Sequence, residues 1–390
     1  MQSVNMLPFK NKKIALVLSG GVVKAAAWHL GVSLALEELG FVFKHNNSDP
    51  KADFEIGTYV GSSAGALVSL FFACGIRPID VIQATVDPRN ARIRPITYKD
   101  MLCLGHPRKR PPRPLIFDPF EDFPFIIRKI LSPFLSISGI FSTKGLYKYI
   151  TDNVLVASDY RDYKADLFVV ATQLDHSRKV IFSKFNYPSP LHDSTAHYYT
   201  GIPVADSVCA SMSVPPFYVP YPIVNNHTSQ VDYYIDGEIR ETLSTHVSID
   251  NGCEFIISSW THTPYHYQDE IGSLVNYGLP AICVQSIYLL IQKKIVEARA
   301  RRATAKDILD TVYDFMSGNK FSKSDTSKLL AILDRKLNYN PRVKLIDIYP
   351  TNENFKLFFT NSFSLNAEKM SYIVKMGYKR TLEVFKEFEC

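Results

Sequence analysis

The chain has 390 residues, of which 46% are hydrophobic and 21% are charged, and its formal net charge is +6. This composition is ordinary for a globular protein and lacks the strongly basic balance of a dedicated nucleic-acid-binding protein, so we expect no nucleic-acid partner. A chain of this length can bury a substantial core, either as one large α/β domain or as two to three smaller ones.

Two strand–turn–helix units are predicted in the first 75 residues. The apolar run Ile14 to Leu18 reads as a buried strand, and after two glycines the stretch Val22 to Leu39 reads as a helix. A second strand over Ile56 to Val60 is followed by a turn over residues 61–65 and a helix over Ala66 to Ala73. The repetition of this unit predicts an α/β fold with a mostly parallel sheet covered by helices.

The segment 105–125 interrupts this alternation. Residues 105–114 form a basic, proline-rich loop, and an apolar, aromatic stretch follows it. The cations of the loop are Arg108, Lys109, Arg110 and Arg113, and the phenylalanines after it are Phe117, Phe120, Phe123 and Phe125. Two interpretations stay open, a membrane-docking or lid segment and a solvated loop.

Helices and strands alternate again after residue 165. Further strands are predicted over Leu167 to Thr172, Val180 to Phe185, Phe255 to Ser259 and Val343 to Tyr349, and a closing helix over Asn366 to Phe388. Between residues 270 and 340 the pattern is largely helical. We expect a catalytic core over residues 10–270 and a mainly helical part over 271–390 that packs onto it as one domain.

One helical face of this C-terminal part is apolar. It carries Ile287, Leu290, Ile291 and Ile295, and the cations of the same stretch are Lys293, Lys294, Arg299, Arg301 and Arg302. We interpret this stretch as a core helix with a basic solvent face, and membrane docking is the alternative.

Cysteine spacing and the N-terminus bear on the compartment. No two of the six cysteines form a CxxC pair, which argues against a zinc site and favours free thiols in a reducing compartment. The N-terminus lacks the pattern of a signal peptide, and no stretch approaches the ~20 apolar residues of a membrane span. The longest candidate, Ala281 to Ile291, is interrupted by Gln285. We expect a protein that is soluble or lies on a membrane surface, either cytoplasmic or exported as an effector without an N-terminal signal.

The pentapeptide Gly61-Ser62-Ser63-Ala64-Gly65 fits the G-x-S-x-G pattern of a nucleophile elbow. The serine of such an elbow sits on a sharp strand-to-helix turn, where bulky neighbours would collide with the strand and the helix. The helix N-terminus favours the negative charge that develops during attack. Ser63 is therefore a candidate nucleophile, and the alternative is a tight turn in which Ser63 caps the helix.

The glycine pair Gly20-Gly21 follows the first strand and opens a helix. Backbone N–H groups at such a turn can form an oxyanion hole. A dinucleotide fingerprint would also need glycines at Val22 and Ala25, and a phosphate-binding loop would need Ser or Thr after Lys24. The remaining alternative is an ordinary strand–helix turn.

A base for Ser63 has to be found elsewhere, because no histidine lies in a motif that identifies it as a triad member. A carboxylate can act as the base if a partly apolar site raises its pKa. Asp236 is the candidate, because it ends an aromatic, β-branched run and would lie at a strand end, where active sites of parallel sheets lie. Taken alone, Asp236-Gly237 favours an ordinary turn.

Four segments appear in the order that is typical of patatin-like phospholipases. They are Leu18 to Gly31, residues 61–65, Ala210 to Pro220, and Asp236-Gly237. In turn they resemble the glycine-rich oxyanion segment, the nucleophile elbow, the Ala-Ser…Pro…Phe…Pro stretch and the Asp-Gly motif of that family. The resemblance covers residues 13 to 260, with a weaker tail to residue 385.

The resemblance implies a three-layer α/β/α fold and a Ser–Asp dyad without a third member. Ser63 would be the nucleophile, Asp236 the base that activates it, and Gly61 and Gly65 would shape the elbow. The implied reaction is hydrolysis of fatty-acyl esters of phospholipids or related lipids at a peripheral membrane surface, without a metal or other cofactor.

For the first loop, the resemblance implies an oxyanion hole made of the amides of Gly20, Gly21 and Val22. It also gives Lys24 and Gly237 supporting positions.

The chain departs from the family pattern at a few positions. Val22 stands where a third glycine is usual, Ala25 replaces another glycine, and Glu238 follows Gly237 where a second glycine is frequent. Glu238 could raise the basicity of Asp236 or face solvent. The first two departures motivate the alternative of a catalytically impaired, patatin-fold lipid-binding or regulatory protein. A third interpretation is an esterase or thioesterase with a histidine triad.

Overall fold

The computed structural model describes residues 7–48, 53–105, 122–131, 138–187, 195–225 and 228–388. The basic loop at 105–114, apart from Gly105, lies outside the described residues, as do Phe117 and Phe120.

The described part of the chain contains short strands and helices of very different lengths. The strands are β1 (Ile14–Leu18), β2 (Val42–Phe43), β3 (Glu55–Ser62), β4 (Cys103–Leu104), β5 (Phe141–Ser142), β6 (Asp166–Gln173), β7 (Arg178–Phe182), β8 (Ala196–Tyr199), β9 (Tyr221–Val224), β10 (Val231–Asp236), β11 (Phe255–Ser259) and β12 (Lys344–Ile348). The helices are α1 (Val22–Glu38), α2 (Ala64–Ala73), α3 (Pro78–Val86), α4 (Tyr98–Met101), α5 (Phe125–Leu131), α6 (Lys144–Asn153), α7 (Val204–Ser211), α8 (Thr245–Asp250), α9 (Gly278–Gly318), α10 (Lys323–Leu337) and α11 (Ala367–Glu387).

A ten-stranded mixed sheet organises the described residues, with the main strand order β12-β11-β1-β3-β6-β10-β9. The five strands from β12 to β6 run parallel to one another. β10 and β9 continue the sheet in antiparallel pairs, β2 pairs with β3, and β7 and β8 extend from β6. The prediction of an α/β fold with a mostly parallel sheet is confirmed.

Successive side chains of a strand point to opposite faces of the sheet. In β1 the side chains on both faces are buried. Leu16 and Leu18 join a core cluster that includes residues of α1, α2 and α11. Ala15 and Val17 join a second cluster with Val247 of α8. The result is the three-layer α/β/α arrangement that the family resemblance implied.

Two predicted boundaries were wrong. Ser62 still pairs with Val170 in the parallel ladder, so β3 continues through Ser62, and α2 begins at Ala64. The turn predicted over residues 61–65 is therefore the single residue Ser63. β7 ends at Phe182 rather than Phe185, because Phe185 leaves the ladder and stacks on the Phe168 ring.

The C-terminal helix α11 packs along α1 at two glycines. A β carbon on Gly31 would lie 2.0 Å from the Val374 carbonyl oxygen, and one on Gly377 would lie 2.5 Å from the Trp28 carbonyl oxygen. Side chains at these positions would push the helices apart, so the glycines allow the backbones to touch.

Helix α9 differs from the core helix that the periodicity predicted. Ile291 and Ile295 are buried against Trp260, but Ile287 is 54% exposed and Leu290 is 64% exposed. The reason is that α9 contacts the core along one narrow stripe. Residues 274–318 are also long and apolar enough to cross a membrane by length and composition, so the expectation of no such segment was wrong.

Candidate active site

Ser63 lies alone between β3 and α2, at the carboxyl edge of the parallel strands. Its backbone has φ 52° and ψ −122°, a combination that residues with side chains rarely adopt. The Ser63 amide donates to Ser211 Oγ at 2.8 Å, and the Ser211 hydroxyl donates to the Val170 carbonyl. The Ser63 hydroxyl makes no capping hydrogen bond with α2, so the helix-cap interpretation was wrong. Strain of this kind persists only where the surroundings fix the backbone, and it marks functional turns.

The small residues of the elbow are required by backbone contacts. A β carbon on Gly65 would lie 2.2 Å from the Leu18 carbonyl oxygen, and one on Gly61 would lie 2.5 Å from the backbone of Ala66. At Gly65, β1 approaches α2, and at Gly61, β3 approaches it, in each case more closely than a side chain would permit.

Asp236 ends β10. We expected it at the end of a strand in a parallel sheet, but β10 runs antiparallel to its neighbour β6. β6 lies between β10 and β3, with Asp236 opposite Ala171 and Ser62 opposite Val170. This register brings Asp236 and Ser63 together although 172 residues separate them in the sequence.

The Asp236 carboxyl is buried and lies next to the Ser63 side chain. It accepts the amide of Glu238 at 2.9 Å. Burial raises the pKa of Asp236 to about 6, and the neighbouring Ser63 side chain and the Glu238 amide limit the rise. A carboxyl with this pKa is ionised at neutral pH and is more basic than an exposed aspartate, which suits a general base.

Gly237 allows the chain to turn away from Asp236. A β carbon on Gly237 would lie 2.3 Å from the Val170 carbonyl oxygen and 2.5 Å from Ser62 Oγ. The Asp-Gly pair is thus both a turn and a component of the candidate site.

The glycine loop between β1 and α1 lies next to Ser63, because β1 pairs with β3. Gly21 has φ 126°, and Val22 has φ 58°, which is an outlier for a β-branched residue. Among the described residues, neither the Gly21 amide nor the Val22 amide donates to another group. The Gly20 amide differs, because it donates to Glu238 Oε1 at 2.8 Å. Gly21 and Val22 are therefore the two amides that could face an oxyanion.

Lys24 supports this loop from behind. Its side chain is buried, and Nζ donates to the Tyr288 hydroxyl at 2.8 Å and to the Leu357 carbonyl at 3.2 Å. The Lys24 amide donates to the Ser362 carbonyl at 3.3 Å. The start of α1 is thus tied to α9 and to residues 357–362.

Two buried histidines also lie against the loop. His29 contacts the Ser259 hydroxyl and the Ser19 carbonyl, each at 2.9 Å. The His262 ring packs edge-on against Tyr288. Burial lowers the pKa of His29 to about 4 and that of His262 to about 3, so both are neutral at pH 7. These contacts give no support to a histidine triad.

Sequence reasoning missed some of these residues. Ser211 was quoted only as part of a motif, and the positions of His29 and His262 had no recognisable signal. Glu238 was noticed, but its two suggested roles did not include a hydrogen bond to the glycine loop. Within the ranges described, no group of three or more His, Cys, Asp or Glu side chains is arranged to hold a metal ion.

An apolar cavity of about 360 Å³ opens beside Ser63. Its walls come mainly from α1, from α2 and from residues 81–98, which comprise part of α3 and the segment that follows it, and its apolar residues include Val23, Ala26, Leu67, Phe71 and Met212. Ser63 is one of few polar groups at its wall, and this pattern is typical of a pocket for an apolar ligand.

A family model described as patatin-like phospholipase matches residues 16–249, which is more than half of the chain. The match includes the glycine loop, Ser63 and Asp236. No curated protein matches the chain.

Proposed function

This chain belongs to the patatin-like phospholipase family, a family of lipid acyl hydrolases, and on that premise we propose that it cleaves fatty-acyl esters of membrane lipids through Ser63 and Asp236. The observation that carries the proposal is the position of Ser63, in a strained strand-to-helix turn beside the buried Asp236 carboxyl and at the wall of an apolar cavity. The cavity would take the acyl chain and place its ester carbonyl at Ser63.

The reaction would proceed in two halves. Asp236 takes the Ser63 proton while Oγ attacks the ester carbonyl, and the amides of Gly21 and Val22 stabilise the oxyanion. The leaving alcohol receives the proton from Asp236, which leaves an acyl-enzyme on Ser63. Water then attacks the acyl-enzyme with Asp236 again as the base, and the fatty acid is released.

Replacement of either dyad member tests this proposal. We expect Ser63→Ala and Asp236→Asn each to reduce fatty-acid release by at least about 10⁴-fold with the fold intact. Mass spectrometry of the products from phospholipid vesicles measures the loss, and circular dichroism checks the fold. Ser69→Ala is a matched control. Ser69 is a buried serine like Ser63, but it lies within α2 and its hydroxyl has no partner among the described residues. Full activity in either dyad variant would contradict the mechanism.

A second candidate function is lipid binding without turnover, and the strained Val22 backbone favours it. A fluorophosphonate probe separates the two functions, because it labels an activated serine without needing a complete catalytic cycle. Labelling at Ser63 that is lost in Asp236→Asn supports the enzyme. Absence of labelling in the presence of lipid vesicles supports the binding protein.

For the membrane surface we propose the exposed face of α9. The first fifteen residues of this helix, Gly278 to Gln292, contain no charge, and Lys293 and Lys294 follow directly. Exposed apolar side chains of the helix and of the turn before it are Val275, Leu279, Ile282, Ile287, Leu289 and Leu290. A continuous apolar face that ends in cations matches the acyl boundary and anionic headgroups of a lipid surface.

The α9 proposal is tested with vesicles that contain anionic phospholipid. Each buried leucine contributes roughly 1.5–3 kcal/mol, so Leu279→Ser/Leu290→Ser should weaken vesicle binding by at least about 100-fold. Hydrolysis of a soluble, monomeric ester should stay unchanged. Ile332→Ser is the control, because Ile332 is similarly exposed but lies on α10. Equal co-sedimentation of all three proteins would rule out this surface.

A further inference from the structure

Glu238 occupies a position that neither solvent exposure nor a direct role in the dyad explains. It lies in the turn after β10, two residues beyond Asp236. Its carboxyl reaches across to the glycine loop, where Oε1 accepts the Gly20 amide at 2.8 Å. A side chain from the β10 turn therefore holds the backbone of the loop that opens α1.

The fit around Gly20 is tight. A β carbon on Gly20 would lie 2.6 Å from Glu238 Cγ and 2.8 Å from Ser63 Cβ. Glu238 and Ser63 thus flank the same backbone position, and the Glu238 hydrogen bond fixes the loop next to the nucleophile.

The second carboxyl oxygen, Oε2, is buried and makes no hydrogen bond to a described residue. The hydroxyls of Ser62 and Thr242 face the carboxyl but do not reach hydrogen-bond geometry with Oε2. A buried carboxylate oxygen without a partner is unfavourable, whereas a protonated carboxyl is much less so. Burial and the nearby charge of Asp236 raise the pKa of Glu238 to about 8.

The other titratable groups described around the loop form no ion pair that would stabilise a negative charge on Glu238. His29 and His262 are neutral at pH 7 for the reason given above. Lys24 and Lys294 lie on neighbouring helices, but they donate to Tyr288 and Leu357 and to the Ile239 carbonyl, respectively. The charge that most affects the Glu238 carboxyl is that of Asp236.

We propose that Glu238 is a positioning residue, which anchors the oxyanion loop at Gly20 through a protonated carboxyl and leaves Asp236 as the ionised base. This inference rests on the proposed function. It also explains how Val22 stays in its strained backbone conformation, since such a conformation persists only when its surroundings hold it in place. Two buried carboxyls of different basicity thus take two roles.

Loss of the Glu238 proton has a defined consequence. The ionised carboxyl places a second negative charge close to the oxyanion that forms on the substrate, and like charges disfavour that intermediate. Activity should therefore rise as Asp236 ionises and fall as Glu238 ionises. The two limbs should be centred near pH 6 and pH 8.

Two substitutions separate the anchor from the proton. Glu238→Gln keeps an acceptor for the Gly20 amide and cannot ionise, so its rate at pH 7 should be close to wild type and its alkaline limb should disappear. Glu238→Ala removes the acceptor and should lower the rate by about 100-fold at every pH, because small displacements of catalytic groups have effects of this size. A Glu238→Gln profile that retains the wild-type alkaline limb would overturn the proposal, as would a fully active Glu238→Ala.

An infrared measurement tests the proton without catalysis. At pH 7 the wild type should show the carbonyl band of a protonated carboxylic acid that is absent from Glu238→Gln and present in Glu241→Gln. If the band is present but no ester is hydrolysed by the wild type, the proposed function fails and the protonated anchor stands. If the wild type is active and the band is absent, the proposed function stands and the protonated anchor fails.

Discussion

The two strand-to-helix turns of the site are neighbours in the sheet but are held in different ways. The turn at Ser63 is fixed by backbone against backbone, through the close approaches of Gly61 and Gly65. The turn at Gly20 is held by side chains that join distant segments: Glu238 of the β10 turn accepts the Gly20 amide, and Lys24 of α1 donates to the Leu357 carbonyl. Backbone contacts leave no room for substitution, whereas side-chain contacts can be exchanged one at a time. The turn at Ser63, the proposed nucleophile turn, should therefore be the more rigid element, and the turn at Gly20, the proposed oxyanion turn, should be the one in which sequence can vary.

The largest effect should come from a β carbon in the nucleophile turn. Gly65→Ala places that atom 2.2 Å from the Leu18 carbonyl oxygen, so β1 and α2 must separate. We expect a loss of about 3 kcal/mol of unfolding free energy, as for severe overpacking, measured by urea denaturation. Gly318→Ala is the matched control, because a β carbon there meets nothing within 4 Å. Similar stabilities for the two variants would contradict the inference that close backbone contacts fix the turn at Ser63.

An intermediate effect is expected at Ser211, whose hydroxyl accepts the Ser63 amide. Ser211→Ala leaves the Ser63 amide without its acceptor, which costs about 1–3 kcal/mol for a buried group. The nucleophile should then lose its fixed position, and kcat for a soluble ester should fall by about 10- to 100-fold. Ser33→Ala removes a buried hydroxyl that has no partner among the described residues and should have little effect on kcat. An unchanged kcat in Ser211→Ala would show that glycine contacts alone suffice.

The smallest effect is expected in the oxyanion turn. Val22→Gly relieves the positive φ but makes the unfolded chain more flexible, so these contributions largely cancel. Val23→Gly has no strain to relieve and loses about 0.4 kcal/mol of helix propensity. Thermal unfolding should therefore show Val22→Gly to be the more stable of the two by about 1 kcal/mol. The reverse order would mean that Val22 is not strained in solution.

Local sequence patterns predicted the elements of the core well. The apolar runs of β1, β3, β6 and β11 and the closing helix lie within two residues of their expected bounds, because buried strands and helices have distinct lengths and periods. The α/β/α fold is confirmed, whereas the roles of Ser63 and Asp236 remain predictions. Their proximity could be expected only through the family resemblance, since no local pattern joins β3 to β10.

The missed features depend on contacts between distant segments. Glu238 accepts the Gly20 amide although the two residues are 218 positions apart, and no property of either residue alone predicts that hydrogen bond. The exposure of Ile287 and Leu290 was missed for a related reason. Periodicity shows which residues share a helical face, but it does not show whether another element covers that face.

The packing of α11 on α1 also has a consequence for the order in which the protein matures. Lys24 at the start of α1 donates hydrogen bonds to the carbonyls of Leu357 and Ser362, and Gly31 packs against the backbone of Val374. The oxyanion turn is thus completed by residues that the ribosome adds more than 300 positions after it. A nascent chain that has not yet reached residue 357 carries Ser63 and Asp236 without the support of their loop. On the proposed function, we expect such a chain to hydrolyse no membrane lipid until its synthesis is almost finished.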